Sequence, residues 1–216
     1  MLESAIHVQQ IRKRTSLPGI FQETIFTRRP HDTEALPSLF IDPIHPKTEV
    51  RPNPETITKV LNSGWVAQLK IHGHRAQIHL SSNPEDAILV YNRHGELHKK
   101  ELSLVMESEL RRLFTPQTGW NVIDAEWLKP EDRLYVFDFL KKDGLLLRKL
   151  CFLDRWNQLP RAYISPCIQT LGVITHLQEC LDVFSKKGQN LVEGLVFKSP
   201  SPGFEDSSII RCRIKS

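Results

Sequence analysis

Lys70 opens the hexapeptide Lys70-Ile71-His72-Gly73-His74-Arg75, directly after an alternating apolar run. A lysine that ends a strand, followed by a glycine turn and an arginine, can serve as a nucleophile with a phosphate-binding neighbour. A lysine amine ordinarily titrates near pH ~10 and is protonated and inert at neutral pH. To attack phosphorus it needs other cations or a metal nearby, and a partner that neutralises the phosphate. Later segments supply candidates: Glu193-Gly194-Leu195-Val196-Phe197-Lys198 and Arg211-Cys212-Arg213-Ile214-Lys215. Strand alternation puts Arg213 and Lys215 on one face. Glu193 and Lys198 would face opposite ways in an ideal strand, so both reach one site only if the chain bends at Gly194.

The elements that must position these residues can be read from periodicity. Residues 65–70 and 76–80 alternate as strands, and 87–93, 121–127 and 133–140 read as further strands. Strands also close the chain at 194–198 and 208–215. The stretch 54–64 fits a short helix, with Pro54 at its start and Gly64 after its end. Helical spacing of Leu102, Val105, Met106, Glu109, Leu110 and Leu113 predicts a helix over 102–114. Strands grouped around helices without a strict strand–helix repeat indicate an α+β fold with antiparallel sheets. Residues 1–50 differ from the rest. They carry basic clusters (Arg12-Lys13-Arg14, Arg28-Arg29) and five prolines with little periodicity, which predicts a basic N-terminal extension ahead of a domain over 51–216.

Composition narrows the class. With 216 residues, 40% hydrophobic and 25% charged, the chain reads as an ordinary globular protein with one good core. It has no apolar run of about 18 residues to span a membrane. Its first residues lack the basic-then-apolar layout of a secretory signal, so a cytoplasmic location is expected, or a nuclear one in a eukaryote. The cysteines at 151, 167, 180 and 212 are too far apart for a metal finger and are expected as reduced thiols. No HExxH segment is present, and none of the histidines is assigned to zinc. Twenty-nine Lys and Arg against 25 Asp and Glu permit polyanion binding without demanding it. No GxxxxGK[ST] loop or GxGxxG turn is present, so a nucleotide would bind by other means.

Taken in order, the segments resemble the motifs of the covalent nucleotidyltransferase superfamily: ATP-dependent DNA ligases, RNA ligases and mRNA-capping guanylyltransferases. Lys70, Gly73 and Arg75 match KxDGxR, with His72 in the aspartate place. Arg93-His94-Gly95 resembles the family's Arg-x-Gly turn, and Asp124-Ala125-Glu126 its DGE segment. Residues 135–140, with Asp143-Gly144, Leu147-Arg148 and Asp154-Arg155, resemble the FDLL…DG…LR…R stretch of DNA ligases. Glu193 to Lys198 matches EGxVxK, and Arg213 with Lys215 stands for KxK.

The resemblance implies a nucleotidyltransferase (ATP-grasp-like) domain and an ATP-dependent DNA ligase of DNA repair, recombination or replication. Lys70 would take AMP from ATP as a phosphoramidate, pass it to a 5′-phosphate, and leave a nick to be sealed by a 3′-hydroxyl. Arg75 and Glu126 would hold the ribose, Phe137 would stack on adenine, and Gln68 would accept from the adenine amino group. Arg93 falls in the nucleotide-binding set by the same likeness. Glu193 and Glu126 would hold Mg²⁺, while Lys198, Arg213 and Lys215 would neutralise phosphate. His72 departs from the usual aspartate and favours a KxHG-type RNA ligase as the alternative, then a capping enzyme or a non-catalytic binding module. The chain ends at the KxK-like segment, so a domain with no C-terminal OB-fold is expected. A clamp on the nicked DNA or RNA duplex would then come from the basic extension or from a separate protein.

Overall fold

The computed structural model describes residues 40–42, 44–161, 165–185, 191–204 and 206–214. The basic clusters of the extension, and Lys215, lie outside the described residues.

The helices begin where capping chemistry dictates. In α1 (Pro54–Asn62) the Asn53 side chain accepts the Thr56 N–H at 2.8 Å, and Pro54 occupies the first turn, where no N–H is needed. Ser63 and Gly64 end it, Gly64 at φ 80°. In α2 (Leu104–Phe114) the Ser103 hydroxyl accepts the Met106 N–H, and Met106, Leu110 and Phe114 form the buried stripe. Two further helices, α3 (Phe152–Trp156) and α4 (Leu177–Ser185), follow.

The strands form two sheets. In the first the order is β1 (Thr48–Glu49), β10 (Ile209–Arg213), β9 (Val192–Lys198), β2 (Val66–Ile71). In the second, β4 (Leu89–Tyr91), β3 (His74–Ser81), β5 (Trp120–Leu128), β6 (Arg133–Lys142) and β7 (Leu145–Leu146) lie in that order. β8 (Ile168–Thr170) joins the other end of β6. The expectation of purely antiparallel sheets needs correcting, because β1 pairs with β10 and β8 with β6 in parallel. Both are short edge segments reached through long connections, so no hairpin constrains their direction.

Each sheet buries one face on helices. Ile57 of α1 and Cys180 of α4 pack against Ala67, Leu195, Phe197 and Cys212 of the first sheet. Met106, Leu110 and Phe114 of α2 pack against Ile78, Leu80, Ile123 and Val136 of the second. Strand alternation then leaves Gln68, Lys70 and Lys198 on the opposite face of the first sheet, and Arg75, Gln77 and Asp124 on that of the second. A small apolar cluster of Ile71, Leu128, Tyr135 and Leu171 joins the two.

Residues 40–42 and 44–50, read from sequence as part of the extension, belong with this domain. Gln77 grips the Ile41 backbone in both directions, accepting its N–H at 2.8 Å and donating to its carbonyl at 2.7 Å. The Phe40 ring packs tilted against Tyr91, with centroids 5.8 Å apart, and Thr48–Glu49 is strand β1. The compact unit begins at Phe40. Among the described residues no helix is long and apolar enough to cross a membrane.

Candidate active site

The bend that the sequence requires at Gly194 is present. Lys70 pairs with Gly194, but the next residue, Ile71, pairs with Val192, so Glu193 is an extra residue bulged out of the ladder. Gly194 has φ 142°, and a Cβ there would lie 2.1 Å from the Cys212 carbonyl oxygen. Only glycine fits. The bulge turns Glu193 toward Lys70, with which it forms an ion pair. Its second oxygen accepts from His72 Nδ1 at 2.6 Å. Burial raises the Glu193 carboxyl, but the hydrogen bonds from Lys70 and His72 outweigh it and hold the group below the usual range. His72, in the place usually held by aspartate, thus supplies a donor where an aspartate would supply a second negative charge.

The facing sheet brings its own bulge. Val136 pairs with Ala125 and Asp138 with Asp124, leaving Phe137 as the extra residue, half-buried. Two cations lie over its ring: the Arg75 guanidinium at 5.6 Å and Lys198 Nζ at 5.1 Å from the centroid. Lys198 Nζ is also 5.1 Å from the Phe152 ring, and burial lowers its pKa to about 8 despite the charge of Asp138. Glu126, opposite Arg75 in the ladder, is pushed up to about 7 by burial, against the pull of Lys70 and Arg75.

Two partners escaped the sequence reading. Arg75 is bound to Asp124 by two hydrogen bonds from one guanidinium edge, Nε to Oδ1 at 3.0 Å and Nη2 to Oδ2, and its Nη1 donates to the Ile44 carbonyl at 3.0 Å. Asp138, the carboxylate beside Phe137, forms a buried fork with Arg155, at 2.9 and 2.8 Å. Both pairings join residues inside quoted motifs, yet strand spacing alone does not say which carboxylate an arginine will choose. Gln68 is buried with its Nε2 donating to the Leu171 carbonyl at 3.4 Å, while its Oε1 has no hydrogen-bond partner among the described residues. A buried acceptor left open in this way suits a ligand N–H.

The structure therefore groups Lys70, Glu193, Glu126, Arg75, Phe137 and Lys198, with Gln68 on the face of Lys70. Arg93 lies exposed in the turn after β4, donating to His94 Nε2 at 2.9 Å, outside the described contacts of that group. Arg213 reaches across the sheet edge to Glu49, with Nη2 to Oε2 at 2.8 Å. A cavity of about 320 Å³ is lined by Arg133, Arg161 and Thr170, none of them a member of that group. Among the described residues no three His, Cys, Asp or Glu form a ready metal site. Glu193 and Glu126 nevertheless suit Mg²⁺, which commonly takes one or two carboxylates together with substrate phosphates.

Residues 63–216 match the family model for RNA ligase, so the chain belongs to the RNA ligase family and with it to the covalent nucleotidyltransferases. Among solved structures it is similar to one from a study of DNA binding with a minimal scaffold in Lig E DNA ligases. The identity is 12%, over 81% of this chain and 69% of that one, with a TM-score of 0.50. It is also similar to a mycobacterial DNA ligase D complexed with ATP and MES, at 17% identity and a TM-score of 0.45. That match covers 69% of this chain and 54% of the other, so the chain spans about half the length of that relative. A Chlorella virus DNA ligase-adenylate matches at 18% identity and a TM-score of 0.41, over 78% of this chain and 64% of that one. Comparison with curated protein sequences gives no match.

Proposed function

We propose that this protein is an ATP-dependent polynucleotide ligase that works through a lysyl-AMP intermediate on Lys70. The observation that carries this reading is the grouping of Lys70 with Glu193, Glu126 and Arg75, and of Arg75 with Lys198 over the half-buried Phe137 ring.

Lys70 must lose a proton before it attacks, and the ion pair with Glu193 holds its amine in place while nearby cations and the phosphate-bound metal would favour the neutral form. A P–N bond to the α-phosphorus of ATP then forms as the bond to pyrophosphate breaks. Next a 5′-phosphate oxygen attacks the same phosphorus and the P–N bond breaks. Finally a 3′-hydroxyl attacks the activated 5′-phosphate and expels AMP. Phe137 stacks on adenine, Gln68 Oε1 accepts from its amino group, and Arg75 with Glu126 holds the ribose. Lys198 moves from its aromatic sandwich to the α-phosphate, joined there by Arg213 once it leaves Glu49, and by Lys215. Glu193 and Glu126 would hold Mg²⁺, which offsets charge on the phosphates.

DNA is the first candidate substrate, because Arg75 and residues 137–155 resemble DNA ligases. RNA is the second, favoured by His72 and by the RNA ligase family match. Incubation with labelled ATP or GTP and Mg²⁺ tests the chemistry. A label from ATP that is absent in Lys70→Ala supports the ligase, and a label from GTP supports capping. No label supports a non-catalytic binding module. Nicked duplexes with DNA or RNA strands then separate the two substrates.

A further inference from the structure

The hairpin between β6 and β7 takes no part in the arrangement around Lys70, yet it is rigidly built. Its turn, Asp143-Gly144, has φ of 46° and 81°, the two-residue geometry that matches strand twist. Asp143 Oδ1 accepts the Gln117 N–H at 2.7 Å, and the Asp143 N–H donates to Asn121 Oδ1 at 2.7 Å. The Gly144 N–H donates to the Trp120 carbonyl at 3.0 Å. Leu147 packs against the core, but Leu145 is 72% and Leu146 49% exposed. A turn fixed this firmly holds both leucines out in water, and among the described residues no contact repays that exposure.

The ladder pairs Lys142 with Leu145 and Lys141 with Leu146. Directly paired residues share a face, so each face of the ribbon carries one lysine beside one leucine. Arg148 and Lys149 follow immediately. The single acid in 141–149 is Asp143, whose carboxylate is used in the turn. Apolar tips flanked by cations on both faces fit a polyanion with a groove.

We propose that this hairpin docks in a groove of the duplex nucleic acid, a choice of partner that rests on the ligase reading. Leu145 and Leu146 lie against sugars and base edges, as apolar wedges of groove-binding proteins do. Lys141 and Lys142, on opposite faces, each meet the phosphates of one groove wall, and Arg148 and Lys149 extend the contact. A two-stranded ribbon is the size of object that a wide groove admits. Phe137 and Lys142 lie five residues apart on one strand, at most about 17 Å. That distance is about five base pairs of a duplex, so the hairpin grips the substrate roughly half a helical turn from the ends to be joined.

The test is fluorescence anisotropy of the full chain with nicked DNA and nicked RNA duplexes across about 50–200 mM salt. It compares wild type with Leu145→Ser/Leu146→Ser and with Lys142→Gln/Lys149→Gln, and labelling by ATP alone is read in parallel. Each double variant is expected to lose about tenfold in duplex affinity while labelling as wild type does. The lysine variant should also flatten the log–log salt slope by about two. Unchanged affinity and slope in variants that still label would overturn the proposal, as would wild-type binding to anionic phospholipid vesicles but to neither duplex. Failure of the wild type to label with ATP would sink the ligase reading alone, because loss of duplex binding in the hairpin variants would still support the hairpin.

Discussion

Lys70 and Glu193 are 123 residues apart in the chain, and their side chains meet because Glu193 is squeezed out of the ladder beside Gly194. The pairing of β2 with β9 skips one residue there, and a backbone at φ 142° allows it. The ion pair therefore depends on a residue with no side chain.

Gly194→Ala tests that dependence. A methyl group would sit 2.1 Å from the Cys212 carbonyl oxygen, so the ladder must shift. The expected cost is about 2–4 kcal/mol in urea unfolding, together with loss of labelling at Lys70. A variant with the wild-type midpoint and full labelling would show that the bend does not matter.

Lys198 sets stability against function. Its folded pKa of about 8 lies below the ordinary 10.5, so the unfolded chain holds the proton more tightly. The resulting penalty is full below pH 8 and fades as pH rises from 8 to 10.5. Lys198→Met removes it but also removes two cation–π contacts. At pH 7 the variant should be equal to wild type or more stable by up to ~2 kcal/mol, with labelling down at least about 100-fold. Marked destabilisation would mean that the ammonium holds the fold together.

The Asp138–Arg155 fork should behave as a unit. Both side chains are buried, and removing one leaves the other charge without its partner. Arg155→Leu should cost about 3–5 kcal/mol, and the double variant with Asp138→Leu should cost less than either single change. Thermal melts of the three variants settle this, and simple additivity would refute it.

His79 predicts an acid-side weakness. The ring is fully buried, edge-on to Tyr91, and Nε2 contacts Gln77 Oε1 at 3.0 Å. Burial, with a smaller push from Lys141, lowers its pKa from 6.5 to about 4. Below pH 6.5 the unfolded chain gains a proton that the folded chain refuses. Stability should then fall as pH drops from 6.5 toward 4, by on the order of 3 kcal/mol from this group. Urea midpoints at several pH values in this window, compared with His79→Gln, measure the share. Identical slopes in the two proteins would remove His79 as the cause.

Much of this protein is local information. Asn53 and Ser103 mark helix starts because a side-chain oxygen three residues before a backbone N–H can cap it wherever the helix goes. The alternation in 76–80 and 121–127 marks strands because the pleat has period two. The order Lys70, Glu126, Phe137, Glu193, Lys198 was likewise legible, since a motif is a run of residue types along one chain. Even the need for a bend at Gly194 followed from counting faces.

Partnership was not legible. Arg75 binds Asp124 although Glu126 is its ladder partner, Arg213 turns to Glu49, and Phe137 leaves the strand's regular alternation. Each outcome depends on where a register slips by one residue, and a slip reverses the direction of every side chain beyond it. The sequence by itself determined which groups could do chemistry and which strands carry them. Only the packed pair of sheets decided which of those groups meet, because side-chain direction and charge partner are properties of the pairing, not of either strand alone.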